Sequence, residues 1–133
     1  MKESVLRRNY LVILLSMVVI VAGLASCGGA DDPAATVEAY LEAKATGDEA
    51  ALGALLCAEQ EVNLQREVHT FDSVTGVELV DMACSYPGSG DIVSCDGKFV
   101  ALYGSEETEF PLVSYRVVQE DGQWKWCGEG AAP

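Results

Sequence analysis

The spacing of apolar side chains predicts that the chain begins its folded part with a helix. Val37, Tyr40 and Leu41 recur three or four positions apart, which places them on one face of an α-helix. An Asp-Pro pair at 32–33 is a typical helix start, because the carboxylate accepts from free N–H groups and proline suits the first turn. A Gly-Asp pair at 47–48 predicts the end of this helix and the start of another.

The second predicted helix has three leucines on its buried side and ends near Cys57. The pattern then weakens over residues 58–73. A third, polar helix over 61–68 and an irregular loop both fit this stretch, and the sequence does not choose between them.

From Gly76 onward the apolar positions alternate, which predicts antiparallel strands. Segments 76–86 and 91–103 flank a Pro-Gly-Ser-Gly turn, and segments 110–119 and 123–127 surround an Asp-Gly turn. If Cys84 faces Cys95, one face of the first hairpin is mostly apolar. The predicted cross-strand pairs are Asp81 with Lys98 in the first hairpin, and Val117 with Trp126 and Gln119 with Trp124 in the second.

Two to three N-terminal helices followed by an antiparallel meander of about four strands predict an α+β fold. Pro111 predicts an edge or a bulge near the start of the third strand. The carboxylates of Glu106, Glu107 and Glu109 are expected in a solvated loop, because they lack the spacing of a calcium-binding loop.

The N-terminal segment reads as an export signal. Lys2, Arg7 and Arg8 precede an apolar run at 11–22, which is short for a membrane span of ~20 residues. The Leu-Ala-Ser-Cys sequence that follows, ending at Cys27, resembles the bacterial lipobox. That resemblance implies cleavage before Cys27 and lipidation of this cysteine, including palmitate-type acylation of the new amino terminus. An uncleaved signal anchor is the alternative.

The predicted organisation has four parts: a lipoprotein signal peptide at 1–26, a lipidated cysteine and linker at 27–31, one folded domain at 32–129 and a tail at 130–133. The expected location is the cell membrane or cell envelope, on the extracytoplasmic face.

The chain is strongly acidic, with a net charge of −13. Without the first 26 residues, 5 basic residues remain against 20 acidic ones. This balance excludes nucleic acid as a partner, since phosphate backbones require a basic surface. It also disfavours charge-driven adhesion to anionic lipid.

The cysteine count predicts two disulfides. Besides Cys27, the chain has Cys57, Cys84, Cys95 and Cys127, an even number in an exported protein. Four cysteines allow three pairings, and the hairpin register favours Cys84 with Cys95 and therefore Cys57 with Cys127. The chain has one histidine and no CxxC spacing, so no metal site is predicted.

Two segments resemble the nuclear transport factor 2-like superfamily, in its bacterial lipoprotein branch. They are AYLEAKATGDEAALGALLC at 39–57 and the closing hairpin VVQEDGQWKWC at 117–127. The resemblance implies a cystatin/nuclear transport factor 2-like cone, in which a strongly curved antiparallel sheet wraps around the helices. Members of this superfamily include isomerase-type and dehydratase-type enzymes as well as proteins with no known chemistry, so the resemblance implies a fold and not a function.

No position matches a catalytic motif, so no catalytic residue and no enzymatic activity are predicted. The alternative is an isomerase or dehydratase-type enzyme with Asp81 or His69 as its base. The ionisable residues weighed for such a role are Asp81, Asp96, His69, Tyr86, Tyr103 and Tyr115.

The expected function is that of a non-enzymatic, lipid-anchored module without a cofactor. Its predicted partner is a small hydrophobic ligand or another envelope protein. Side chains that could line an apolar pocket are Trp124, Trp126, Phe99, Met82 and Tyr86. The alternative is that Tyr40 and Leu41 of the first helix fill this space as ordinary core.

Overall fold

The computed structural model describes residues 32–131. The helical elements are α1 (Pro33–Thr46), α2 (Glu49–Leu55), a 3₁₀ helix (Ala58–Asn63) and α3 (Leu64–Val68). The strands are β1 (Thr75–Ser85), β2 (Ile92–Tyr103), β3 (Glu106–Pro111), β4 (Ser114–Glu120) and β5 (Gln123–Glu129). The predicted signal peptide, Cys27 and the linker lie outside the described residues. Among the described helices, none has the length and apolar character that a membrane crossing requires.

Both predicted helix boundaries in the first half are confirmed. Asp32 accepts a hydrogen bond from the backbone N–H of Ala34 at 2.9 Å, and Asp48 accepts one from Ala51 at 3.0 Å. Gly47 ends α1 with φ of 65°, a left-handed conformation that glycine adopts without steric cost. Local side-chain chemistry therefore sets the turn between α1 and α2.

Residues 58–73, left open by the sequence, form the 3₁₀ helix, α3 and a turn. Most side chains of these two short helices are exposed or half-buried. Glu67 is the exception, since it is a buried charged side chain with only 4 % exposure. This carboxylate faces α1, where Tyr40 and Lys44 donate hydrogen bonds to it.

The helices pack on one curved, unclosed antiparallel sheet, which confirms the α+β fold. Its strand order is β1-β2-β4-β5, and β3 also pairs with β2. The start of β2 pairs with β4, over Ile92–Ser94, and its end pairs with β3, over Lys98–Tyr103. One strand of the sheet thus has two partners along the same edge.

The sheet has five strands where about four were predicted, because the acidic stretch at 106–109 belongs to β3 and not to a loop. Glu107 lies opposite Leu102, and Glu109 lies opposite Val100. Exposed charged side chains are common on edge strands, where they discourage pairing with another molecule. Pro111 ends β3, close to where a sheet irregularity was predicted.

The predicted register of the first hairpin holds only at its closed end. Cys84 lies opposite Cys95, but farther along the strands Lys98 lies opposite Val80 and not opposite Asp81. A bulge causes the shift, and Asp81 there has φ of 54°, which is unusual for a residue with a side chain. The predicted pairing of Asp81 with Lys98 is therefore wrong.

Gly97 makes this bulge sterically feasible. A Cβ atom at this position would lie 2.6 Å from the carbonyl oxygen of Asp81, which is closer than real side-chain atoms approach. Gly97 has φ of 104° as well. Beyond the bulge, Lys98 forms an ion pair with Glu109 on β3.

The register of the second hairpin is confirmed. Val117 lies opposite Trp126, and Gln119 lies opposite Trp124. Both turn residues at 121–122 have positive φ, of 52° and 76°, as a two-residue turn between twisted strands requires. The hairpin lies beside α1, and its register brings Trp126 into the core.

Both predicted cysteine pairs are present as disulfides. Cys84–Cys95 connects β1 and β2, and Cys57–Cys127 connects the residue after α2 with β5. The backbone N–H of Cys57 also donates to the carbonyl of Trp126 at 2.9 Å. The second disulfide therefore reinforces a backbone contact between the helical layer and the sheet.

Tyr40 of α1 is fully buried and stacks on Trp126, with ring centroids 4.0 Å apart and an angle of 12° between the planes. Its ring also meets Tyr115 edge-on, at 6.4 Å. Leu41 is buried in the same core. The first helix therefore fills much of the space between itself and the sheet.

Candidate functional site

A cavity of about 600 Å³ lies where α1, the 3₁₀ helix and α3 meet β4 and β5. Polar side chains dominate its wall, and several of them are well exposed, so the cavity is open to solvent. The lining residues are Lys44, Glu59, Gln60, Arg66, Glu67, Arg116, Trp126, Cys127, Gly128 and Glu129.

The buried end of the cavity is organised around the carboxylate of Glu67. Its Oε2 atom accepts a hydrogen bond from the Tyr40 hydroxyl at 2.7 Å and another from Lys44 Nζ at 2.8 Å. Its Oε1 atom accepts from Arg66, whose Nη2 lies 3.2 Å away. Three donors on one buried carboxylate compensate for its loss of hydration.

These contacts fix the protonation states of the buried pair. Burial alone would raise the pKa of Glu67, but the hydrogen bonds from Lys44 and Tyr40 outweigh it and hold that pKa below its usual range. Burial first, and then the neighbouring Glu67 carboxylate, raise the pKa of the Tyr40 hydroxyl far above its ordinary value. At neutral pH the pair is therefore a charged acceptor with a neutral phenol donor.

A second polar group lies on the sheet side of the cavity. Arg116 Nη2 donates to Glu59 Oε2 at 2.8 Å and to the sulfur of Cys127 at 3.3 Å. The side chain of Glu129, at the end of β5, makes no hydrogen bond or ion pair with any residue between 32 and 131. This side thus has one carboxylate more than it has cations.

Trp126 lines the same cavity and has an unsatisfied donor. The side chain is 4 % exposed, and its indole Nε1 is a buried polar atom without a hydrogen-bond partner within the described part of the chain. Buried donors nearly always have an acceptor, either in the protein or in a bound molecule. The unpaired indole N–H is therefore an unusual feature of a residue that lines this cavity.

Basic side chains are concentrated at this cavity. Residues 32–131 contain 5 basic and 19 acidic side chains. Of the five basic ones, three line the cavity, namely Lys44, Arg66 and Arg116. Three glutamates, Glu59, Glu67 and Glu129, line it as well, so the cavity is balanced in charge within an otherwise acidic domain.

The five side chains proposed from sequence as pocket-lining are not brought together. Trp126 lines the polar cavity, whereas Tyr86 lines a separate groove at the β1–β2 turn. Trp124 packs against Tyr86 at 5.7 Å, and Met82 is half-buried against the core. Phe99 is 5 % exposed and packs among other core residues.

The ionisable residues weighed as bases from sequence lie elsewhere. Asp81 and Asp96 are exposed on the first hairpin, and His69 is exposed on the turn after α3. Tyr103 is 65 % exposed, and Tyr115 is buried in the core. None of these side chains lines the polar cavity.

Apart from Trp126, the residues that build the cavity were not identified from sequence as a site. Lys44 lies on the first predicted helix without any feature that marks it as functional, and Glu67 lies in the stretch without a clear pattern. The spacing of Tyr40 and Lys44, one helical turn apart, is the one local signal that these two side chains meet. Arg116 joins them only through the fold.

The sulfurs of Cys57 and Cys127 lie within 4.8 Å of a carboxylate oxygen of Glu59, a grouping that reduced cysteines could offer to a metal ion. Both sulfurs are joined in the disulfide, so neither is a thiolate. Here the cysteines act as a structural connection beside the cavity.

No protein-family model and no curated protein matches this chain. Seventeen chains of solved structures match it. One is a variant of the designed protein Rd1NTF2_05, with a TM-score of 0.52 over 70 % of this chain and 90 % of the other. The domain has a nuclear transport factor 2-like fold. The two sequences are 11 % identical, so the likeness concerns the fold and not the chemistry.

Proposed function

We propose that this protein is a lipid-anchored module of the cell envelope that binds a small polar molecule in the cavity beside Trp126. The observation that carries the proposal is the concentration of three of the five described basic side chains around one open cavity. A nuclear transport factor 2-like fold fits a ligand-binding module.

The size and lining of the cavity support a polar ligand. Small-molecule sites usually occupy 300–1,000 Å³, so about 600 Å³ suffices for a small metabolite. The wall offers charged groups from α1, α3 and β4 and includes the aromatic side chain of Trp126. A polar ligand fits this wall better than the hydrophobic one expected from the alternating strand pattern.

The protonation states support binding without acid–base catalysis. A general base works best when its pKa lies near the operating pH. The pKa of Glu67 is held below its usual range, and that of Tyr40 is raised well above its own. At neutral pH neither group is poised to exchange a proton, so we propose a non-enzymatic role.

The proposed location rests on the sequence and on the disulfides. The segment at 1–26 has the features of an export signal, and Cys27 ends a lipobox-like sequence. Two disulfides in a small domain fit an oxidising compartment outside the cytoplasm.

Native mass spectrometry of the full chain, extracted in detergent from the membranes of its own host, tests the binding proposal. We expect an added mass that is lost on denaturation. Lys44→Gln should reduce the occupancy, whereas the matched change Lys98→Gln, at a residue that does not line the cavity, should not. A bare mass, or equal occupancy in both variants, would contradict binding at this cavity.

Fractionation of cells tests the proposed anchor. Wild-type protein should incorporate a palmitate analogue and sediment with membranes, whereas a Cys27→Ser variant should do neither. Retention of the unlabelled variant in the membrane fraction would favour the uncleaved signal anchor instead.

A further inference from the structure

The helix side of the cavity has an excess of positive charge. Lys44 from α1 and Arg66 from α3 share a single carboxylate, that of Glu67. Both cations keep unused N–H donors, because a lysine has three and an arginine has five. This side can therefore accept a further anionic group without displacing an existing ion pair.

The opposite side has an excess of negative charge. Glu59 from the 3₁₀ helix pairs with Arg116 from β4, and Glu129 from β5 lines the cavity without an ion-pair partner among residues 32–131. Two carboxylates and one cation leave a net negative charge here. A cationic group could bind at Glu129 without competing with a protein side chain.

The two sides together discriminate between classes of ligand. A simple anion would be attracted to Lys44 and Arg66 but would also meet the carboxylate of Glu129 in the same cavity, and the acidic domain as a whole would repel it. A simple cation would meet the opposite mismatch. A molecule with both charges complements both sides and has no net charge to be repelled.

We propose that the ligand is a small zwitterion with one carboxylate and one ammonium group, such as a free amino acid or a betaine. Its carboxylate would lie toward Lys44 and Arg66, and its ammonium group toward Glu129. This inference rests on the proposed binding function and specifies its ligand class.

Titration calorimetry on the full chain in detergent provides the test. A panel of the common amino acids and glycine betaine is screened first. The tightest-binding amino acid is then compared with its N-acetyl derivative, which lacks the ammonium, and with its methyl ester, which lacks the carboxylate. We expect each derivative to bind about tenfold more weakly or worse, since each loses one charge-assisted contact.

Two variants assign the two ends of the ligand. Glu129→Gln should weaken binding of the amino acid while leaving its N-acetyl derivative unaffected or tighter. Arg66→Gln should do the same for the methyl ester. Both side chains are exposed, so neither change should disturb folding, and Glu109→Gln serves as a matched control away from the cavity.

The outcomes separate this inference from the broader proposal. The zwitterion proposal would be overturned if either derivative bound as tightly as the amino acid. It would also be overturned if the variants left the ratio of amino-acid affinity to derivative affinity unchanged. If the panel shows no binding while protein from its host carries another small molecule, the ligand class is wrong and the binding function stands. If the panel shows no binding and protein from its host carries no small molecule, both proposals fail.

Discussion

The two disulfides connect regions that are built in different ways. Cys84–Cys95 joins two strands that already pair along their length, across 11 positions of sequence. Cys57–Cys127 joins the helical layer to the last strand across 70 positions, and Cys127 lines the polar cavity. The first reinforces a local hairpin, whereas the second holds together elements that only the tertiary fold brings near each other.

Removing Cys57 and Cys127 together, by substitution with serine, should have the largest effect. Closing a loop of this length restricts the unfolded chain and contributes roughly 4 kcal/mol. Urea unfolding should show this loss. The added mass in native mass spectrometry should also disappear, because the cavity wall loosens. A loss smaller than that for the hairpin disulfide would contradict the comparison.

Removing Cys84 and Cys95 together should cost less, because their loop is short. The same chain-entropy relation gives about 3 kcal/mol. The midpoint of urea unfolding should fall, but ligand occupancy measured on the folded protein should remain. Loss of occupancy without unfolding would show that the hairpin supports the cavity more directly than its position indicates.

Substituting Glu67 by glutamine should come next in size, at about 2 kcal/mol. An amide keeps an acceptor for Tyr40 but removes the charge that Lys44 and Arg66 share, and hydrogen bonds to charged groups are the stronger kind. Equilibrium unfolding at neutral pH measures the difference. Full stability in this variant would mean that the charge of the Glu67 carboxylate does not organise the buried end of the cavity.

The same group predicts a pH dependence with a defined sign. Because the pKa of Glu67 is lower in the folded state than its ordinary 4.5, its stabilising effect is complete above pH 4.5 and is lost as the pH falls toward the folded value. Urea unfolding of wild type and Glu67→Gln should therefore converge in acid. If the difference in unfolding free energy between the two proteins stayed the same at all pH values, a group other than Glu67 would cause the acid sensitivity.

Asp81→Asn should have the smallest effect, within about 0.5 kcal/mol. Asp81 is exposed at the bulge and forms no ion pair with Lys98, which pairs with Glu109 instead. Asparagine also tolerates the left-handed conformation found there. Thermal unfolding measures the change. A clear loss of stability would support the ion pair between Asp81 and Lys98 that the sequence register predicted.

The features that the sequence predicted correctly are set by neighbouring residues. The caps at Asp32 and Asp48 and the two-residue turn at 121–122 depend on side chains and backbone within a few positions. The pairing of Val117 with Trp126 follows from that turn alone. The sequence was sufficient to predict those features whose contacts lie within a few positions of each other.

The features that were missed depend on distant contacts. The bulge at Asp81 requires the close approach of Gly97 from the next strand, and β3 forms although its exposed glutamates resemble a loop. The cavity is harder still to predict, because Lys44, Glu67 and Arg116 come from three separate elements. Each is an ordinary charged residue until the fold places them around one space.

The Cys57–Cys127 bond also makes a closed covalent ring of everything between these two residues. The exposed β1–β2 turn at 87–90 and the tip at 104–105 both belong to this ring. A protease that cuts at 104–105 opens this ring, whereas a cut at 87–90 leaves it closed through Cys84–Cys95. In both cases no fragment is released, and the part of the chain that leads into α1 stays joined to β5. A nicked molecule would therefore migrate as a single piece until a thiol reductant separates it into two.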